Sequence, residues 1–240
     1  MLKSVTDYRD LGRLEPSPYS ARIQALFKTY GNNHRFTDFW IQNRDTAVCR
    51  IDGNLTIECG ENTDYDEMRQ FLNYIPFRTV LLDERCCEKL GKKPDLSSVT
   101  VKYNGAVGAE KPVSDDNYKG VYSLLLSCGF ELGRYGDYLA DFVSRVNSGC
   151  AQLTTAYENG AVAASASALF IGSNAVLLGA VSAAKENRGK GYASRLVSSL
   201  ASFYAKEKNV YLFCREDSLL SFYNKCGFCA TGRWAQINNE

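Results

Sequence analysis

Eight consecutive residues, Asn187-Arg188-Gly189-Lys190-Gly191-Tyr192-Ala193-Ser194, constrain the chain more than any other stretch. They follow a run without charge, Ala175 to Ala184, that reads as a strand. They open an amphipathic helix expected over Gly189 to Lys206, with Tyr192, Leu196, Val197, Leu200, Phe203 and Tyr204 on its apolar face. Glycines at a strand-to-helix turn let the backbone come close to a ligand. The first turn of a helix has N–H groups without intrahelical partners and carries a partial positive charge. Together these make an anion site, and phosphate is its usual occupant. The segment has neither the Gly-x-Gly-x-x-Gly order nor the Gly-Lys-Ser/Thr ending of the common phosphate loops. A glycine-rich helix start with two solvated cations is the plain alternative.

The rest of the chain alternates strands and helices. Ser20 to Tyr30 is expected to be a short helix within a mixed region, residues 1–35. Asp38 to Gln42, Thr46 to Ile51 and Asn54 to Cys59 read as strands, the last two joined at Asp52-Gly53. Asp64 caps a helix running to Tyr74, followed by a strand Phe77 to Leu82, a helix Glu84 to Leu90 and a strand Val99 to Tyr103. Gly105 to Asn117 is the best linker. Beyond it come helices Tyr118 to Cys128 and Tyr138 to Val146, then strands Ala151 to Tyr157, Val162 to Phe170 and Ala175 to Ala183. Strand Val210 to Cys214, helix Ser218 to Asn224 and strand Phe228 to Ile237 follow the main helix.

The spacing Arg188-x-x-Gly191-x-Ala193 resembles the pyrophosphate motif Gln/Arg-x-x-Gly-x-Gly/Ala of the GNAT acetyltransferases. Val181-Ser182-Ala183-Ala184 precedes it, where that family has its acetyl-CoA strand. Phe222-Tyr223-Asn224-Lys225-Cys226-Gly227-Phe228 follows it, where the family has Tyr-x-x-x-Gly-Phe. The resemblance covers roughly residues 130–240. It implies an α/β (α+β) fold, the GNAT fold, with a central mixed, mostly antiparallel sheet that is flanked by helices and splayed at the CoA site. It implies an N-acetyltransferase that moves an acetyl group from acetyl-CoA directly to a primary amine of a small molecule or peptide.

By the same resemblance, Arg188, Gly189, Lys190, Gly191, Tyr192, Ala193 and Ser194 cradle the pyrophosphate, and Val181, Ser182 and Ala183 line the pantetheine arm. Tyr223 matches the tyrosine that protonates the leaving thiolate; a core or CoA-stacking role is its alternative. The fourth-strand glutamate that often serves the family as base has no counterpart between Ala175 and Ala184. Glu216 stands where many members have asparagine. No base is assigned, and a catalytically silent acyl-CoA-binding sensor or scaffold is the alternative function. The acceptor stays open among small amines, amino acids, antibiotics and protein termini.

The first half repeats the element order, so residues 1–110 are expected to be an accessory domain or a degenerate GNAT-like copy, and residues 111–240 the acetyltransferase domain. Gly60-Glu61-Asn62-Thr63-Asp64, at the place of the cradle, is acidic and would repel phosphate. One CoA per chain is therefore expected. With 28 basic and 27 acidic residues the chain offers no nucleic-acid surface by composition. Residues 159–184 are uncharged but rich in Ala, Ser and Gly, so they read as adjacent strands rather than a membrane span. Nine cysteines and an N-terminus without the apolar core of a signal peptide fit reduced thiols in a cytoplasm. Cys226-x-x-Cys229 lacks a second ligand pair, since the one histidine is His34, and no metal is expected.

Overall fold

The computed structural model describes residues 1–32, 34–108 and 110–239. The first half forms β1 (Lys3–Ser4), α1 (Tyr8–Leu11), α2 (Pro18–Tyr30), β2 (Thr37–Ile41), β3 (Ala47–Ile51), β4 (Asn54–Glu58), α3 (Tyr65–Tyr74), β5 (Thr79–Asp83), α4 (Glu84–Lys89) and β6 (Leu96–Tyr103). The second half forms α5 (Tyr118–Ser127), α6 (Tyr135–Asn147), β7 (Gln152–Glu158), β8 (Ala161–Ile171), β9 (Ala175–Ala183), α7 (Tyr192–Tyr204), β10 (Asn209–Phe213), α8 (Leu220–Lys225) and β11 (Phe228–Asn238).

Most boundaries fall within a few residues of the sequence reading. β1 and α1 are additions; α1 is started by Asp7, whose carboxylate accepts from Arg9 N. α2 begins at Pro18, earlier than expected, because Ser17 and Ser20 cap each other's backbone N–H groups and proline is pre-shaped for the first helical position. α7 begins only at Tyr192. Gly189 and Gly191 both have φ +80°, which a right-handed helix cannot include.

All eleven strands join one sheet in the order β1-β2-β3-β4-β5-β11-β6-β10-β9-β8-β7. Two of its ten pairings are parallel, β4 with β5 and β9 with β10; the other eight are antiparallel. From α1 to β6 the first half repeats the element order of the second, from α5 to β11. The halves exchange strands. β6 lies between β10 and β11 of the second half, and β11 lies between β5 and β6 of the first. The boundary expected near residue 110 thus falls in a connection crossed by strand pairing in both directions. Ala109, inside the expected linker, is outside the described residues.

One face carries α1, α2, α5 and α6. Its main core joins Ile23 and Leu26 of α2 to Phe39 and Cys49 of the first half and to Phe170, Leu177 and Tyr211 of the second. Leu169 links that core to the cluster under α5 and α6 around Val121, Leu125 and Phe142. The opposite face carries α3 and α4 over Val48, Ile57 and Leu82, and α7 and α8 over Val101, Leu178 and Leu212. Alternate residues of one strand, such as Leu177 and Leu178, enter different cores, as a period of two requires. Among the described residues no helix is long and apolar enough to cross a membrane.

Candidate active site

β9 is nine residues long but pairs with β10 only from Ala175 to Leu178. Gly179 to Ala183 continue without pairing to β10. A bulge lies at the start of this free stretch. Ser165 faces Ser182 and Ser167 faces Gly179, so Ala166 alone opposes Ala180 and Val181. Ala180 takes φ +50°, costly for a residue with a Cβ, and Ser165 Oγ donates to its carbonyl at 3.2 Å. A bulge turns the backbone polar groups beside it out of the regular ladder. Of the residues expected to line a pantetheine arm, Val181 is half-buried and Ser182 is buried, its hydroxyl 2.8 Å from that of Ser165. Ala183 O already accepts from Cys128 Sγ at 3.5 Å and Arg188 Nε at 3.4 Å.

A 3-10 turn, Lys185–Asn187, leads from β9 into the glycine segment. Gly191 is the N-cap of α7 and supplies no side chain to cap it. Among the described residues the N–H groups of Tyr192, Ala193 and Ser194 meet no acceptor, and the first helical bond is Arg195 N to Gly191 O at 3.1 Å. Open donors at a helix start form an anion site. The cations around it differ in availability. Lys190 Nζ is 2.7 Å from Glu158 Oε2 at the end of β7, so much of its charge is spent there. Arg188 makes no ion pair among the described residues. Neither does Arg195, which lies over the Tyr192 ring at 4.9 Å. Arg195 was not singled out in the sequence, although it follows Ser194 directly. The Glu158–Lys190 pair spans 32 residues and has no local signal.

Tyr223 lies on α8, 6 % exposed, in the core shared with Cys214, Cys226 and Phe228. Its hydroxyl has no hydrogen-bond partner among the described residues. Burial, with the Cys214 and Cys226 thiols beside it, pushes its pKa well above that of an ordinary phenol. Of the two acids after β10, Asp217 is committed elsewhere. It accepts from Ser98 Oγ at 2.7 Å and Arg233 Nη1 at 3.0 Å, and these bonds hold its carboxyl below the usual carboxylate range. Glu216 is exposed. From the α5–α6 connection, Cys128 reaches β9, and Arg215 Nη1 donates back to Cys128 O at 3.4 Å. Among the described residues no group of His, Cys, Asp and Glu is placed to hold a metal ion.

The first half has the same parallel strand pair with a different helix start. β4 pairs with β5 from Asn54 to Thr56 only. There Asp64 caps α3, its Oδ1 accepting from Asp66 N at 3.1 Å and Glu67 N at 3.0 Å. The donors left open in α7 are closed in α3, and Asp66 and Glu67 add negative charge.

Residues 118–228 match the family model described as "Acetyltransferase (GNAT) family". No curated protein matches the chain in sequence. Several solved structures are similar in fold. A GCN5-related N-acetyltransferase from Kribbella flavida is 12 % identical at TM-score 0.58, over 81 % of this chain and 86 % of that one. A tandem GNAT protein from the clavulanic acid biosynthesis pathway is 13 % identical at TM-score 0.57, over 98 % and 97 %. A Drosophila protein is 11 % identical at TM-score 0.61, over 98 % of both chains. At these identities the likeness is one of fold. The matched family model identifies residues 118–228 as a GNAT acetyltransferase domain, and so as an acyltransferase domain.

Proposed function

We propose that residues 118–228 transfer the acetyl group of acetyl-CoA directly to a primary amine. One observation carries this reading: the uncapped start of α7 follows the stretch of β9, Gly179 to Ala183, that does not pair with β10. The N–H groups of Gly189 and of Gly191 to Ser194, with the Arg188 and Arg195 guanidinium groups, take the pyrophosphate, while the Lys190 N–H is turned to Asn187 O. The pantetheine arm lies along Val181, Ser182 and Ala183 in the manner of an added strand. Lys190 acts through its pair with Glu158, which ties the loop to β7, more than as a free charge.

Tyr223 gives its proton to the leaving thiolate. Its raised pKa keeps the phenol protonated, and a thiolate in the same dry surroundings loses hydration too, so the proton acceptor becomes more basic alongside the donor. The incoming amine must shed a proton, and Asp217 is too well stabilised as a carboxylate to take it. A screen of primary amines with acetyl-CoA, read by released thiol, tests the reading. At least one amine should raise thiol release well above acceptor-free hydrolysis. If none does while CoA still binds, the domain is a silent CoA-binding module.

A further inference from the structure

A large cavity lies outside the acetyltransferase half. It has a volume of about 1340 Å³ and opens where β4 and β5 of the first half part, under the start of α2. Its size is generous for a small-molecule site, which typically measures roughly 300–1,000 Å³. Tyr211 and Thr100, from β10 and β6, also line it, so the strand exchange builds part of its floor.

The polar groups within it are incompletely used. Glu58 is 7 % exposed. Its Oε2 accepts from Ser17 Oγ and, at 3.0 Å, from Ser20 N, while Oε1 has no partner among the described residues. Asp83 Oδ1 accepts from Arg85 N at 2.9 Å, and Oδ2 is likewise without a partner. The buried hydroxyls of Tyr19 and Thr100, both 4 % exposed, lie near each other and have no other partner among the described residues. A buried polar atom left without a full set of partners is costly, and here several line one space. Around the mouth stand Arg13, Arg44, Arg85 and Lys89, against two acids, Glu15 and Glu61, and none of the six is in an ion pair among the described residues. Asp45 is already held by Asn62 Nδ2 at 2.9 Å.

We propose that this cavity is a second small-molecule site, and that it takes a zwitterion of the amino-acid or short-peptide class. Its primary ammonium sits against Glu58 Oε1 and Asp83 Oδ2, with the Tyr19 and Thr100 hydroxyls as further acceptors. Its carboxylate faces the arginines and lysine of the mouth. A buried carboxylate without a cation takes up a proton, and the protein supplies no cation at the floor, so an ammonium bound there would hold Glu58 in its ionised form. A pyrophosphate is excluded, because Asp64 closes the start of α3. The site stands independently of the acetyl-transfer reading, since nothing in it needs the α7 cradle.

The test is calorimetry on the full chain with glycyl-L-glutamate and L-glutamate, each beside its N-acetylated form. At least one free-amine probe should bind once per chain, with its acetylated form weaker by about tenfold or more, the scale of a lost charge-assisted contact. Glu58→Gln should weaken binding to a similar extent and leave CoA binding intact. If that variant does not fold, Arg44→Ala at the exposed mouth should weaken the probe instead. Gly191→Asp should leave probe binding unchanged, which separates failure here from failure of the CoA site. The proposal is overturned if neither free probe binds, if acetylation makes no difference, or if Glu58→Gln and Arg44→Ala bind as the parent does. It is also overturned if the bound probe is acetylated when acetyl-CoA is added, for then the cavity is the acceptor end of the transferase site.

Discussion

At the scale of single residues, two buried groups give the sharpest tests. Tyr223→Phe removes one hydroxyl and leaves the ring packing against Phe222 and Phe228. With a working acceptor, kcat should fall by about 10² or more with CoA affinity little changed, the range of a positioned general acid. Full kcat in the variant would make Tyr223 a packing residue. Glu58 bears on stability. Burial lifts its pKa from 4.5 to about 8, outweighing the lowering effect of its bond from Ser17. Between those values the folded chain holds a proton that the unfolded chain has released. Its contribution is therefore fully present below pH 4.5 and is lost as pH rises toward 8, at up to about 1.4 kcal/mol per pH unit. Melting curves from pH 5 to 8 should show Glu58→Gln gaining on the parent as pH rises. Parallel curves would mean that Glu58 titrates normally. Glu58 drew no attention in the sequence, because its burial depends on α2 closing over β4 from 38 residues away.

At the scale of elements, two helices follow parallel strand pairs and start in opposite ways. α3 carries its own anion in Asp64, whereas α7 starts on Gly191 with its donors open. Both starts were legible in the sequence, since a capping aspartate and a glycine pair act within a few residues. Asp64→Ala should cost about 1 kcal/mol, lowering the melting temperature by a few degrees in a chain of this size. It should not create a second CoA site, because Asp66 and Glu67 remain in the first turn. A second equivalent of CoA bound by this variant would show that one cap residue is all that separates the two halves. What the sequence did not disclose were contacts set by long-range pairing. The bulge at Ala180 depends on register with β8, and Asp217 is captured by Ser98 on an exchanged strand.

At the scale of the whole molecule, the repeat read from element order is present, but the two copies are not beads on a string. Periodicity shows that β6 and β11 are strands and cannot show that each completes the other half. The exchange leaves residues 111–240 without the strand between β10 and β11, and residues 1–110 without the strand between β5 and β6. Expressed alone, neither fragment should give a cooperative melt, and co-expressed fragments should purify together in a 1:1 complex. A monomeric, cooperatively folding 111–240 would contradict this. The central claim is that one open helix start in the second half makes one CoA site per chain. Calorimetry with acetyl-CoA tests it most directly, in the parent and in Gly191→Asp, which puts a carboxylate and a Cβ at a backbone of φ +80°. The parent should bind one equivalent, and the folded variant should lose about 2 kcal/mol or more, roughly thirtyfold in affinity. Two equivalents per chain, or unchanged affinity in a folded Gly191→Asp protein, would contradict the account.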